Sequence, residues 1–295
     1  MTRVCFYLNF SENYIRKSDN LNKDYQNIFD TNKFLLETPR ENYQLISNYI
    51  LELLHYYSNF HINLSLPACL LRQLNEHRFD LEGFRDLAKH QRVEFLGQIN
   101  SKPKNNSYSP EEFRNQVLHY IQLLRDSINA AVYTFHCRDL YLSNQLIREI
   151  RLLDLEGVVN SNTELTNSFR HPDFVYTNKD ENVKILTQNE ILSNDLEKIF
   201  EMGNFKQIEN FVDSLEDSGD VVNLFVDYEF ILHRSEFLKE FIRQVELKDN
   251  LMFDNCKRVL RKVEAVGQAD FPDIQIKGPG KRIFTSTLNF FGINF

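Results

Sequence analysis

Val221-Val222-Asn223-Leu224-Phe225-Val226-Asp227-Tyr228-Glu229 is the stretch that decides how this chain is read. Five of its first six residues are apolar, the run has strand length, and it ends in two carboxylates. A helix-like stretch follows. That is the pattern of a buried parallel strand whose C-terminal end carries polar groups. Ala130-Ala131-Val132-Tyr133-Thr134-Phe135 has the same form and leads into His136-Cys137-Arg138-Asp139. In (β/α) barrels and doubly wound sheets, the C-terminal strand ends are where chemistry is done. Two carboxylates from two such ends are the minimum equipment of a glycosidase. An Asp after a strand also serves as a helix N-cap or turn residue. His136, three residues before Asp139, reads more readily as a satisfied structural histidine than as a ligand.

Working outward, strands read at residues 4–10, 62–66, 93–99 and 157–160. Residues 174–177 and 183–186 pair around a Lys179-Asp180-Glu181 turn. Helical patterns fill the gaps, at 41–57, 70–76, 81–90, 110–128, 144–153, 194–201, 206–215, 236–245 and 255–263. Ser109-Pro110-Glu111-Glu112 supplies an N-cap, a first-turn proline and two acids at a positive helix end. Residues 102–109 read as a polar loop, and periodicity fades from Val266 onward. Six or seven strands separated by helices favour one α/β domain, barrel-like or open.

Bulk properties narrow the function class. The chain has 295 residues, 42% of them hydrophobic, enough for a sizeable core. A net charge of -8 argues against a nucleic-acid surface. The N-terminal apolar run is too short for a signal peptide, and no run has the length of a membrane span. A cytoplasmic protein with no membrane partner is the expectation. Cys5, Cys69, Cys137 and Cys256 stand isolated, fitting neither a disulfide framework nor a zinc site. The eight histidines form no metal-binding pair, and Gly278-Pro279-Gly280-Lys281 lacks the context of a phosphate loop. No metal and no cofactor are expected. Trp is absent, although sugar clefts usually stack ring faces on large aromatics.

Taken together, the segments resemble glycoside hydrolase family 57, the α-amylase and glucanotransferase family. Val4-Cys5-Phe6-Tyr7-Leu8-Asn9-Phe10 looks like its first strand, and residues 64–74 like its second motif. Val93-Glu94-Phe95-Leu96-Gly97 resembles the strand before its third-strand loop. Phe135-His136-Cys137-Arg138-Asp139-Leu140-Tyr141 falls on the nucleophile motif, and residues 221–229 match the acid/base motif of the amylase-like branch. The resemblance implies an irregular parallel (β/α)7 barrel of pseudo-TIM type over residues 1–247. Residues 248–295 would form a C-terminal helix and irregular tail packed on it. It implies Asp139 as nucleophile and Asp227 as acid/base. Glu229, Tyr228, His136 and Arg138 would be substrate-binding, toward an α-glucan or oligosaccharide.

The departures from the family pattern bear on activity. Ser11-Glu12-Asn13 stands where the family has His-Gln-Pro. Ala68 and Arg72 replace a Gly and a Glu, and Gln98 and Lys102 replace a Glu and a His. The nucleophile is a Glu in the family and Asp139 here. A retaining glycosidase needs its carboxyl groups about 5–5.5 Å apart, and misplacement by about 1 Å costs on the order of a hundredfold in rate. Three readings stand at this point. One is a catalytically impaired amylase-like protein, a pseudoenzyme that keeps glucan or partner binding. Another is an active glycosidase using Asp139 and Asp227, and the last is an unrelated α/β binding domain. Arg138 and Arg72 are expected to pair with the surviving acids, holding Asp227 or Glu229 ionised. Nothing in the sequence sets the oligomeric state.

Overall fold

The computed structural model describes residues 1–10, 39–76, 81–100, 107–138, 140–161, 171–179, 182–272 and 274–277. Strand β1 (Thr2–Asn9) is the hub. Its interior residues are wholly buried, as a strand covered on both faces requires. Along one edge β9 (Val221–Asp227) runs parallel to it from Arg3 to Asn9. The other edge is shared. β10 (Leu251–Phe253) takes Thr2–Val4, and β2 (Ile62–Ser65) takes Tyr7–Asn9.

From β2 the order continues to β3 (Val93–Phe95), again parallel. An isolated parallel bridge, Gly97 to Phe135, carries it on to β5 (Thr134–Cys137). The glycine is required there, because a Cβ at Gly97 would stand 2.8 Å from Val132 Cγ1. β6 (Gly157–Asn160) and β8 (Lys184–Thr187) extend the parallel series. Between β8 and β9 the contact is made by other hydrogen bonds. The Asn189 N–H donates to the Asn223 carbonyl at 3.0 Å, and Asn223 Nδ2 donates to the Thr187 carbonyl at 2.9 Å. Seven parallel strands, β1, β2, β3, β5, β6, β8 and β9, thus follow one another as an irregular (β/α)7 barrel.

Helices link them: α1 (Pro39–Tyr56), α2 (Ala68–Glu76), α3 (Glu82–Lys89), α4 (Pro110–Ile128) and α5 (Asn144–Leu152). Then come α6 (Glu190–Met202), α7 (Phe205–Leu215), α8 (Tyr228–His233), α9 (Ser235–Glu246) and α10 (Cys256–Lys262). The start of α4 is as read from sequence: Ser109 Oγ accepts the Glu112 N–H, and Pro110 opens the first turn. The helix ends at Asn129 in the left-handed region, φ 56°. One apolar layer lies between helices and strands, with Phe6, Phe60, Phe241 and Phe253 in mutual ring contact. Inside the barrel, Tyr7 stacks on Phe225 at 4.1 Å.

Some elements depart from the sequence reading. The strand expected to fill 130–135 is Thr134–Cys137, because its partner β6 begins opposite Thr134. Residues 130–133 bridge from the left-handed turn at Asn129 to that start. β7 (Tyr176–Asn178) is antiparallel to β8, as the turn between them implied, and lies outside the parallel series. Three short strands fall where no periodicity shows. β4 (Ser107–Tyr108) pairs with β12 (Ile276–Lys277), and β11 (Gly267–Ala269) pairs with β7. Two- and three-residue strands are too short to display an alternation. Residues 278–295 lie outside the described residues.

Candidate active site

Because the strands are parallel, their C-terminal ends gather at one rim. The register puts Asn9, Ser65 and Asp227 level with one another on β1, β2 and β9. Gln98 follows β3, His136 and Arg138 close β5, and Ser161 follows β6. Asp139 lies outside the described residues, as do residues 11–13 and Lys102.

His136 is 2% exposed and held from both ring nitrogens. Nδ1 is 2.8 Å from Ser65 Oγ, and Nε2 is 3.0 Å from Ser161 Oγ. Gln98 Nε2 donates to Ser65 Oγ at 2.6 Å, so four side chains form one chain of hydrogen bonds across the rim. Phe225 lies against the imidazole, with ring centroids 5.3 Å apart. Burial, with the Arg138 charge added, pushes His136 down to about 3. The imidazole is therefore neutral at physiological pH.

Asp227 sits at the N-cap position of α8, but its side chain caps nothing. The N-cap explanation of this carboxylate therefore does not apply. Its backbone N–H donates to Glu197 Oε1 at 3.1 Å. Burial raises Asp227 above the usual carboxylate range, against an opposing pull from Arg138. The expectation that cationic partners lower Asp227 is thus corrected: desolvation outweighs the arginine. Among the described residues Arg72 is not a partner of the acids either. Its guanidinium donates to the Asn100 backbone and side-chain oxygens. Glu197, half-buried on α6, is pushed up to about 7 by burial and by the Asp227 charge, with the Asp227 N–H acting the other way.

Glu229 is half-exposed on the first turn of α8. Tyr228 is fully buried, stacked on Phe10 at 4.9 Å and on Tyr43 at 5.9 Å, so it backs the turn from the core side. Two rim groups were missed in the sequence. Asn9 Oδ1 is buried with no hydrogen-bond partner among the described residues. Its place at the end of the first strand was the available signal. Glu197 is mid-helix, and no local pattern marks it.

The opposite end of the barrel holds a pocket of about 180 Å³ where β3 and β5 begin, lined in part by Glu94, Tyr133, Asn255 and Lys257. None of the expected site residues faces it. Among the described residues no three His, Cys, Asp or Glu side chains gather as metal ligands, and no helix is long and apolar enough to cross a membrane.

Comparison with known proteins adds the lineage. The sequence pattern of glycosyl hydrolase family 57 matches residues 4–266. No curated protein matches the chain. Among solved structures, the 4-alpha-glucanotransferase of Thermococcus litoralis superposes with a TM-score of 0.65 at 15% identity, over 93% of this chain and 43% of that one. The GH57-type branching enzyme of Pyrococcus horikoshii gives 0.65 at 11% identity, over 93% and 73%. A putative polysaccharide deacetylase from Mycobacterium smegmatis gives 0.63 at 13% identity, over 89% and 90%. The chain therefore spans less than half the length of the glucanotransferase it resembles.

Proposed function

The chain belongs to glycosyl hydrolase family 57, and from that premise we propose that it is an α-amylase-like member that binds α-glucan at the C-terminal rim and hydrolyses it weakly or not at all. One observation carries this reading. Gln98, Ser65, His136 and Ser161 are hydrogen-bonded in series, in one chain across the rim. Gln98 stands where the family pattern has a Glu, so a position expected to orient sugar is engaged within the protein. Asp227, by contrast, keeps a carboxyl that caps no helix. Charged hydrogen bonds to a substrate are worth about 1.5–3 kcal/mol each, so their loss weakens transition-state binding directly.

In this reading Asp227 is the retained acid and Asp139 is the shortened nucleophile. Arg138 and Glu229 meet sugar hydroxyls at the rim, His136 orients Ser161, and Tyr228 supports the turn from behind. The reading keeps the expected division into a barrel domain, residues 1–247, and a C-terminal region, residues 248–295, and has the protein work in the cytoplasm without metal or cofactor.

A second reading, an active glycosidase using Asp139 and Asp227, is favoured by one fact. A general acid must hold its proton near neutral pH, and burial shifts Asp227 in that direction. A screen for binding and turnover on maltooligosaccharides and glycogen separates the two. The proposal expects saturable binding with little or no product. Turnover on the order of 1–1000 per second, the usual enzymatic range, would establish the second reading instead.

A further inference from the structure

The edge of β9 that faces away from β1 has no strand ladder beside it among the described residues, and its amides find other partners. The Val221 N–H donates to the Asp173 carbonyl at 3.0 Å. The Phe225 N–H donates to Ser193 Oγ at 3.0 Å, and the Asp227 N–H to Glu197 Oε1 at 3.1 Å. Ser193 and Glu197 are four apart on α6, hence on one helical face. Phe225 and Asp227 are two apart on β9, hence on one strand edge. Helix α6 thus presents two side-chain acceptors in step with alternate strand amides. A buried amide left without an acceptor is costly, which fixes the pairing tightly. The second amide belongs to the residue expected to act as acid.

We infer that Glu197 is a positioning residue for Asp227: it clamps the strand-to-helix turn from which the Asp227 carboxyl projects, and the two carboxyl groups form one electrostatically linked pair. The inference takes the role of Asp227 from the proposed function, but the clamp stands on its own geometry. Among the described residues, the charged groups acting on the pair are Arg138, after β5, and Glu201, one turn further along α6. The shift of Glu197 to about 7 is consistent with the linkage, since the Asp227 charge contributes to it.

The test uses the full chain, with amide hydrogen exchange and carboxyl titration followed by NMR. Glu197→Ala removes the acceptor and is expected to speed exchange at the Asp227 amide tenfold or more, on the order of 1.4 kcal/mol of lost protection. Glu197→Gln keeps an acceptor oxygen and should restore most of it. Asp227→Asn removes the neighbouring charge, and the Glu197 titration should move down toward the ordinary carboxylate range. Equal Asp227 exchange in all three side-chain states, or a Glu197 titration indifferent to Asp227→Asn, overturns the inference. Should Glu197→Ala unfold the chain, the Glu197→Gln protein and the titration decide the matter. Maltooligosaccharide binding, measured in parallel, reports on the proposed function separately: its absence with the clamp intact would discard the sugar reading and leave the clamp standing.

Discussion

At the N-terminal end of the barrel, Glu94 is 3% exposed and receives the Thr134 hydroxyl at 2.6 Å and the Lys257 N–H at 2.6 Å. Nearby, Asp254 is wholly buried, with Arg258 Nε at 2.6 Å and Arg3 Nε at 3.5 Å. At the C-terminal end, Asp227 caps no helix and feels one arginine at a distance, while Glu197 accepts a single amide. The same functional group is thus tied to the fold at one end and left available at the other. Burial alone does not distinguish them, because it raises Glu94 to about 7 just as it raises Glu197. What differs is how many hydrogen bonds and ion pairs the protein itself makes to each carboxyl among the described residues. Groups held for chemistry are usually the under-committed ones.

The largest expected effect lies at the tied end. Asp254→Ala leaves two guanidinium groups facing a buried gap, and a loss of about 3 kcal/mol is expected, the lower end for a broken buried pair because both arginines reach solvent. Urea denaturation reads it directly. A loss below about 1 kcal/mol would mean that the pair is only a surface-type contact.

Glu94 gives an effect of similar size through pH. Its folded-state value, about 7, lies above the 4.5 of a free carboxyl, so the folded protein binds the extra proton between these limits. Stability from this residue therefore falls as pH rises through that window, by about 3 kcal/mol in total. His136 acts in the opposite sense. Its folded value of about 3 lies below the ordinary 6.5, so its contribution is lost as pH falls through that range. Subtracting the stability of Glu94→Gln from that of the unmodified protein, pH by pH, isolates the glutamate. A flat difference curve would show that Glu94 is ionised at no cost in the fold.

The smallest effect is expected at the open end. Asp227→Asn should change stability by less than about 1 kcal/mol, since among the described residues no cap and no ion pair is lost. A loss as large as that of Asp254→Ala would erase the distinction between the two ends. In the activity assay the same variant should abolish any residual hydrolysis. Asp139→Glu, which restores the family's nucleophile length, should raise it. If that single change produced full amylase activity, the engaged chain through His136 would matter less than proposed.

Much of this arrangement was legible in the sequence, for a physical reason. Long buried strands such as residues 221–227 display their apolar run openly, and capped helices such as α4 announce their starts through Ser109 and Pro110. The barrel order and the placing of Asp227 at the rim followed from those signals and from the family resemblance. Three features did not follow. The two-residue strands β4 and β12 are too short to carry a period. The link between Gln98, Ser65, His136 and Ser161 joins four strand ends far apart in sequence, and only the order of the strands brings them together. Glu197 looks like any polar position on an amphipathic helix, because its partner is a backbone amide that has no sequence signature. The balance at Asp227 was also misjudged: Arg138 was visible in the sequence, whereas the desolvation that outweighs it belongs to the folded barrel.

The division between the two ends is tested most directly by mapping where an α-glucan lands. Maltoheptaose titrated into the labelled full chain should shift the NMR signals of Asn9, Arg138, Ser161, Asp227 and Glu229 together, while those of Glu94, Tyr133, Asn255 and Lys257 stay still. Shifts confined to the Glu94 pocket, or none at any concentration of sugar, would contradict the account.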